Sequence, residues 1–233
     1  MPAVHWLAFF NKYNTGDSMN IHIMAGGPPE FVPDLRAYKQ ENTIWVGVDK
    51  GVLALLDAGI EPQYAFGDFD SVTDEEWLKI ERQVTNLIRF KPEKDETDME
   101  LAINWALEQD AGTIRLFGAT GGRLDHLLAN IQLLLKPLLQ NLDAEIEMID
   151  NNNHIYVKGP GVHSIAKMPS RKYISFVAVT PSVSALTLKG FKYPLNGCNI
   201  PLGSTLCISN ELISDYGTFS FEEGILLVVR SSD

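Results

Sequence analysis

The sequence predicts an α/β fold: an N-terminal doubly wound, mostly parallel sheet with helices on both faces, then a C-terminal all-β sandwich. Two observations carry this reading. As far as Asp150, short apolar strand-like runs alternate with stretches of helical spacing, the order that builds a parallel sheet covered on both faces. From Asn151-Asn152-Asn153 onward only strand-like runs remain, separated by Gly, Pro, Asn and Ser. Three segments are therefore expected: an N-terminal extension over residues 1–18, an α/β domain over 19–150 and an all-β domain over 151–233.

The elements follow in order. Asn20-Ile21-His22-Ile23-Met24-Ala25 alternates apolar and polar residues and runs into Gly26-Gly27-Pro28-Pro29, a strand meeting a loop. A glycine pair at a strand end lets backbone approach a phosphate, and a plain turn explains it equally well. Thr43 to Asp49 is the second strand, and Gly51 to Ala58 a short helix closed by Gly59. Asp49 lies at the carboxyl end of its strand, where open α/β sheets bind ligands; it also suits a helix cap. Tyr64-Ala65-Phe66 is a third, buried strand leading into Gly67-Asp68-Phe69-Asp70-Ser71.

Residues two apart on a strand point the same way, so Asp68 and Asp70 are expected to aim both carboxylates at one spot. Two such carboxylates repel unless a positive charge sits between them, and Mg2+ is the hard cation that carboxylates and substrate phosphates hold together. The competing reading is an acidic turn in which Asp70 or Ser71 caps the next helix. That helix opens on a capping box, Thr73-Asp74-Glu75-Glu76, and is expected to bury Trp77, Leu78 and Ile80.

Asn86 to Phe90 is another strand, followed by Lys94-Asp95-Glu96-Thr97-Asp98-Met99-Glu100. Thr97 and Glu100 again have capping-box spacing, which puts Asp98 in a first helical turn. If these acids converge, a metal or a lysine must offset them, and Lys94 is the nearest candidate. Thr113 to Phe117 is the next strand, and Gly118-Ala119-Thr120-Gly121-Gly122-Arg123-Leu124-Asp125-His126 follows it. Its glycines free the backbone to cradle a phosphate, Arg123 offers a bidentate fork and Asp125 adds a carboxylate. His126 reads as structural rather than as a ligand. The next helix is expected to place Leu127, Leu128, Ile131 and Leu135 on its core face. The P-loop pattern is absent.

Composition bounds the function. The chain has 45% apolar and 21% charged residues, as in soluble globular proteins. Its net charge of −11 argues against a nucleic-acid binder, which needs a basic surface. No apolar run is long enough to span a bilayer; that around Leu133 to Leu139 is broken by Lys136-Pro137. Cys198 and Cys207 have neither disulfide-scaffold number nor metal-type spacing, which suits the cytoplasm. The first 18 residues are expected to lie upstream of a functional start at Met19, although a signal-like segment or an added strand also fits their apolar Val4 to Phe10 run.

With the acidic pair, the Lys-Asp-Glu-Thr-Asp stretch and the Gly-Gly-Arg-Leu-Asp-His stretch in this order, the chain from Met19 onward resembles the thiamine pyrophosphokinase family. The resemblance implies transfer of the pyrophosphoryl group of ATP to the hydroxyethyl oxygen of thiamine, giving thiamine diphosphate and AMP. It implies Mg2+ and a homodimer whose active sites are shared between subunits. Asp68, Asp70 and Asp98 match the metal- and phosphate-site acids. Asp49, Ser71, Thr97, Arg123 and Asp125 match positions lining the ATP and thiamine cleft, and Lys94 one near the phosphates. Ser209-Asn210 resembles a segment contacting thiamine across the dimer. Asp98 or Asp125 would take the hydroxyl proton. A metal-dependent phosphohydrolase and a non-catalytic thiamine- or nucleotide-binding dimer are the alternatives.

Overall fold

A computed structural model describes residues 19–70, 72–89 and 95–233. The expectations for residues 1–18, Ser71, Phe90 and Lys94 lie outside the described residues.

Five strands run parallel in the first half: β1 (Asn20–Met24), β2 (Thr43–Val48), β3 (Tyr64–Gly67), β4 (Asn86–Arg89) and β5 (Thr113–Phe117). With β6 (Glu145–Ile149), parallel to β5, they stand in the order β6-β5-β1-β2-β3-β4. Strand alternation sorts their side chains onto two faces. Ile21, Ile23, Val46, Val48, Ile114 and Leu116 face a core closed by α3 (Asp98–Glu108) and α4 (Leu124–Leu133). Met24, Trp45 and Phe117 face the other way, toward α1 (Gly51–Asp57). Ala65 packs on that side too, under Ile80 of α2 (Asp74–Gln83). Both faces are covered, as the alternating strand and helix order predicts.

The second half is all β: β7 (Asn153–Lys158), β8 (Gly161–Ala166), β9 (Tyr173–Ala178), β10 (Ser182–Lys189), β11 (Leu195–Pro201), β12 (Asn210–Glu211), β13 (Tyr216–Phe221) and β14 (Leu226–Ser231). β11-β10-β13-β8 form one sheet, while β7, β14, β9 and β12 continue the first sheet antiparallel from β6 into a ten-stranded whole. The sandwich is thus the second sheet packed on the far half of the first. β7 and β14 serve both cores: Ile155, Val157 and Leu227 point into the α/β core, Tyr156, Leu226 and Val228 into the sandwich core. That double burial explains the unbroken apolar run Ile225 to Val229, which shows no alternation.

Several local expectations are corrected. Leu78 and Leu128 are exposed, whereas Ile80 is buried and Leu127 and Ile131 pack on the core. Lys136-Pro137, which interrupts the apolar run, opens helix α5 (Lys136–Gln140), where proline in the first turn gives up only an N–H that has no partner there. No helix among the described residues is long and apolar enough to cross a membrane.

Candidate functional site

Because β1 to β6 are parallel, the loops that follow them share one edge of the sheet. The chain moves from β1 through β2 and β3 to β4 on one side, and β5 lies on the other. This reversal opens a crevice between the loops after β1 and β5, the usual ligand position in such sheets. Its floor is backbone: Ala25 N–H donates to the Phe117 carbonyl at 2.8 Å and Gly27 N–H to the Gly118 carbonyl at 2.9 Å. A side chain at Gly27 would collide with that Gly118 carbonyl, so close contact of the two loops requires glycine there.

Asp49 follows β2 in a left-handed conformation (φ 48°), its N–H donating to the Phe66 carbonyl at 2.9 Å. It is not the cap of α1; Lys50 holds that position. The Asp49 carboxylate is packed against Gly67, where any Cβ would strike it. Gly67 therefore lets the acid after β2 reach the acids after β3.

Asp68 and Asp70 share one turn rather than one strand face, since β3 stops at Gly67. Phe69 is left-handed (φ 58°) with its ring buried beside Trp77, and the Asp70 N–H donates to Asp68 Oδ1 at 3.1 Å. A buried aromatic anchor and an Asx-type turn thus present Asp70 to solvent, with Asp68 half-buried behind it. Neither acid caps α2. Thr73 does, accepting from Glu76 N–H at 3.3 Å while Glu76 accepts from Thr73 N–H at 2.7 Å.

Thr97 caps α3 by accepting from Glu100 N–H at 3.1 Å, which sets Asp98 in the first turn, half-buried at the same sheet edge. Asp49, Asp68, Asp70 and Asp98 therefore all lie on loops or helix starts at that edge. Among the described residues no three acidic, histidine or cysteine side chains are close enough to enclose a metal ion. The expected Asp68, Asp70 and Asp98 set is thus not a ready-made three-ligand cage.

Arg123 precedes α4 and stands exposed, but its fork is already engaged. Nε and a terminal nitrogen donate to Asp125 at 3.1 and 2.6 Å. The guanidinium hydrogen bonds hold the Asp125 carboxyl below the usual carboxylate range, and the pairing raises Arg123 in turn. Asp125 also accepts from His126 N–H at 3.0 Å.

The loop carrying this pair is fixed by residues that the sequence did not single out. Thr120 Oγ1 donates to Asp150 Oδ2 at 2.8 Å, both side chains buried. Asp150 Oδ1 accepts from the N–H groups of Asn152 and Asn153, and Arg171 donates to the Asp150 carbonyl at 2.6 Å. Asn130 of α4 donates to the Ala119 carbonyl at 3.1 Å. An Asp at a strand end before three asparagines was the available signal, readable as a turn but not as the partner of a threonine 30 residues earlier.

Ser209 and Asn210 lie in the all-β half. Ser209 is exposed with φ 56°, its N–H donating to Ser175 Oγ at 2.9 Å. Asn210 is buried, and its amide is engaged with the backbone of Tyr193: it donates to the carbonyl at 2.8 Å and accepts from the N–H at 3.0 Å. Of the two, Ser209 alone presents its side chain to solvent.

Comparison with known proteins matches two stretches of the chain. Residues 35–147 match the model of the thiamin pyrophosphokinase catalytic domain, and residues 162–226 that of the thiamin pyrophosphokinase vitamin B1 binding domain. The thiamine pyrophosphokinase of Bacillus subtilis (strain 168) is 54% identical over 91% of this chain and 99% of its own. A crystal structure of thiamine pyrophosphokinase from Bacillus subtilis superposes with a TM-score of 0.86 at 52% identity, covering 92% of this chain and 99% of the other. One from Geobacillus thermodenitrificans gives 0.85 at 51%, covering 92% and 98%.

Proposed function

This chain belongs to the thiamine pyrophosphokinase family and transfers the pyrophosphoryl group of ATP to thiamine; we propose that the acids and the Arg123 loop at the carboxyl edge of the parallel sheet are where it does so. The observation that carries this reading is the packing of Asp49 against Gly67 beside the Asp68–Asp70 turn. It brings the acid after β2 to those after β3, two neighbouring strand ends at the carboxyl edge of the sheet, where phosphates need a cation between them and carboxylates.

The donor set suits Mg2+: two carboxylates on one turn supply the hard oxygens that this ion takes together with substrate phosphates. Asp68 and Asp70 would hold it, with Asp98 nearby. Bound there, it would offset negative charge on the oxygens of the transferred group.

The remaining work falls to the chain itself. The thiamine hydroxyl oxygen attacks the β-phosphorus of ATP, the bond from that phosphorus to the α-phosphate bridging oxygen breaks, and AMP leaves. Arg123 swings its fork from Asp125 to a phosphate oxygen. The hydroxyl proton passes to a carboxylate. Asp98 and Asp125 are the candidates: the swing of Arg123 releases two of the three hydrogen bonds that Asp125 accepts. Thr97 sets the position of Asp98 through its cap, and Lys94 and Ser71 contribute to phosphate binding.

Residues 151–233 supply the thiamine-binding and dimerisation half, with Ser209 facing the ligand and Asn210 shaping its segment. The support is an edge strand of two residues, β12, flanked by the exposed apolar side chains Leu206, Ile208 and Ile213. Such patches beside an unpaired strand edge mark interfaces. A homodimer sharing its active sites, located in the cytoplasm, follows from this reading.

The test is an assay of purified protein with ATP, Mg2+ and thiamine, following AMP and thiamine diphosphate. Matched formation of both is expected, lost by at least about a hundredfold in Asp70→Asn. AMP or phosphate release that ignores thiamine would mean a phosphohydrolase instead.

A further inference from the structure

The all-β half holds a pair of arginines that the reaction just described does not use. Arg230 lies near the end of β14, in register with His154 of β7 and Ile174 of β9, and is 6% exposed. Alternation with Leu226 and Val228 turns it toward the second sheet. Arg171 belongs to the loop between β8 and β9 and is half-buried. Both guanidinium groups reach the stretch that follows β8. Arg230 donates to the Ala166 carbonyl at 2.7 Å, and a terminal nitrogen of Arg171 lies 3.8 Å from Met168 Sδ. The other terminal nitrogen of Arg171 donates to the Asp150 carbonyl at 2.6 Å.

These two cations lack a counter-charge. Among the described residues neither forms an ion pair with a carboxylate. The acids of the neighbouring β6 and its end are engaged elsewhere: Glu147 with Arg115 and His154, the Asp150 carboxylate with Thr120 and Asn153. Both Nε atoms are buried and have no hydrogen-bond partner among the described residues. Burial first, and then the charge of Arg171, press the Arg230 pKa below its ordinary value, while Tyr156 opposes them. Arginine does not escape such a place by losing its proton, and buried charges are otherwise paired.

We propose that Arg171 and Arg230 form a binding site for a small oxyanion of the inorganic phosphate type. Such an ion offers lone pairs to both Nε–H donors at once and offsets both charges, which a neutral ligand or a water does not. Arg171, half-buried, meets solvent on its outer side and gives the ion access. The work of the ion is to neutralise the joint between the two halves of the chain. Arg171 holds the Asp150 carbonyl there, and the Asp150 carboxylate holds Thr120 at the root of the loop that carries Arg123. The site is distinct from the acids at the reaction centre and does not rest on the kinase reading.

Urea unfolding at neutral pH and fixed ionic strength, with chloride replaced stepwise by inorganic phosphate, tests it. In the wild-type chain the folding constant is expected to rise along a saturating curve, by about a hundredfold when phosphate reaches a hundred times its dissociation constant. Arg230→Met and Arg171→Met are each expected to lose the saturating rise, and Arg123→Gln to keep it. No rise in the wild type overturns the site and leaves water on the two Nε atoms. A rise that never saturates and is equal in every chain is the general action of an excluded salt, and overturns it too. So does a saturating rise that survives in Arg171→Met or disappears in Arg123→Gln; the second outcome places the ion at the reaction centre. Should the buried Arg230→Met chain not fold, the half-buried Arg171→Met chain decides alone.

Discussion

The residues that the site depends on differ in how they are held. Asp70 faces solvent on a turn, whereas Thr120 and Asp150 form a buried pair with a 2.8 Å hydrogen bond at the root of the loop that carries Arg123. Without the Thr120 hydroxyl, Asp150 Oδ2 keeps only the Asn153 amide at 3.1 Å, a loss of about 1–3 kcal/mol. Thr120→Val keeps the shape and removes the hydroxyl. It should lower stability in urea by that amount and reduce kcat, whereas Thr120→Ser should restore both. A Thr120→Val chain with unchanged kcat would show that the Arg123 loop does not depend on this bond.

At the scale of elements, α2 has little buried surface of its own: Ile80 is its one buried side chain, and Trp77 packs from its edge. Such a helix depends on its start. Thr73 and Glu76 exchange hydrogen bonds there, immediately after the acidic turn. Thr73→Ala should cost about 1 kcal/mol by chemical denaturation. Because the cap also ends the turn that presents Asp70, KM for ATP should rise more than KM for thiamine. Equal changes in both would mean that the cap serves stability alone.

At the scale of the whole molecule, the ten-stranded sheet is crossed by a polar row from β1 to β7, buried at His22 and half-buried at Arg115, Glu147 and His154. Arg115 approaches His22 Nε2 at 3.3 Å and Glu147 at 2.7 Å, and His154 lies 3.2 Å from Glu147. Since the arginine can only donate, His22 Nε2 accepts and the ring is neutral. Burial, followed by the Arg115 charge, pushes the His22 pKa down to about 3. Burial alone would raise Glu147, but the hydrogen bond and charge of His154, with those of Arg115, pull it down to about 2.

Both shifts make the fold acid-sensitive. Between its ordinary value of 6.5 and about 3, His22 binds a proton in the unfolded chain and not in the folded one. Its contribution is therefore complete above 6.5 and is lost as the pH falls below it, by up to about 1.4 kcal/mol per unit. Glu147 adds its own loss only between 4.5 and about 2. Unfolding followed from neutral pH down to about pH 5 should show stability falling in the wild type and falling less in His22→Gln. Equal slopes would remove His22 as the cause. The apolar rim of β12 gives a separate test of assembly: the chain should sediment as a dimer, and Ile213→Lys together with Leu206→Lys should shift it toward monomer and lower activity. A wild-type monomer that is fully active would end the shared-site proposal.

Much of this was legible in the chain alone, because it rests on local rules. Alternation in Ile21 to Met24 and the capping box at Thr73 report contacts within a few residues, and so identify a parallel sheet and its helix starts. The three motifs that mark the family were also local, and they located Asp68 and Asp70 after a strand and Asp98 and Arg123 at helix starts. Leu78 and Leu128 were misplaced because helical periodicity marks a face but not where the neighbouring element stops. Tertiary structure alone decided that Asp68 and Asp70 share a turn anchored by Phe69, that Arg123 grips Asp125, and that Thr120 is tied to Asp150. It also decided that the sandwich grows from the same sheet as the α/β half, with β7 and β14 buried on both sides. Each of these is a contact between residues that become neighbours only once the sheet has assembled, and no local pattern encodes which distant partner fills a given space.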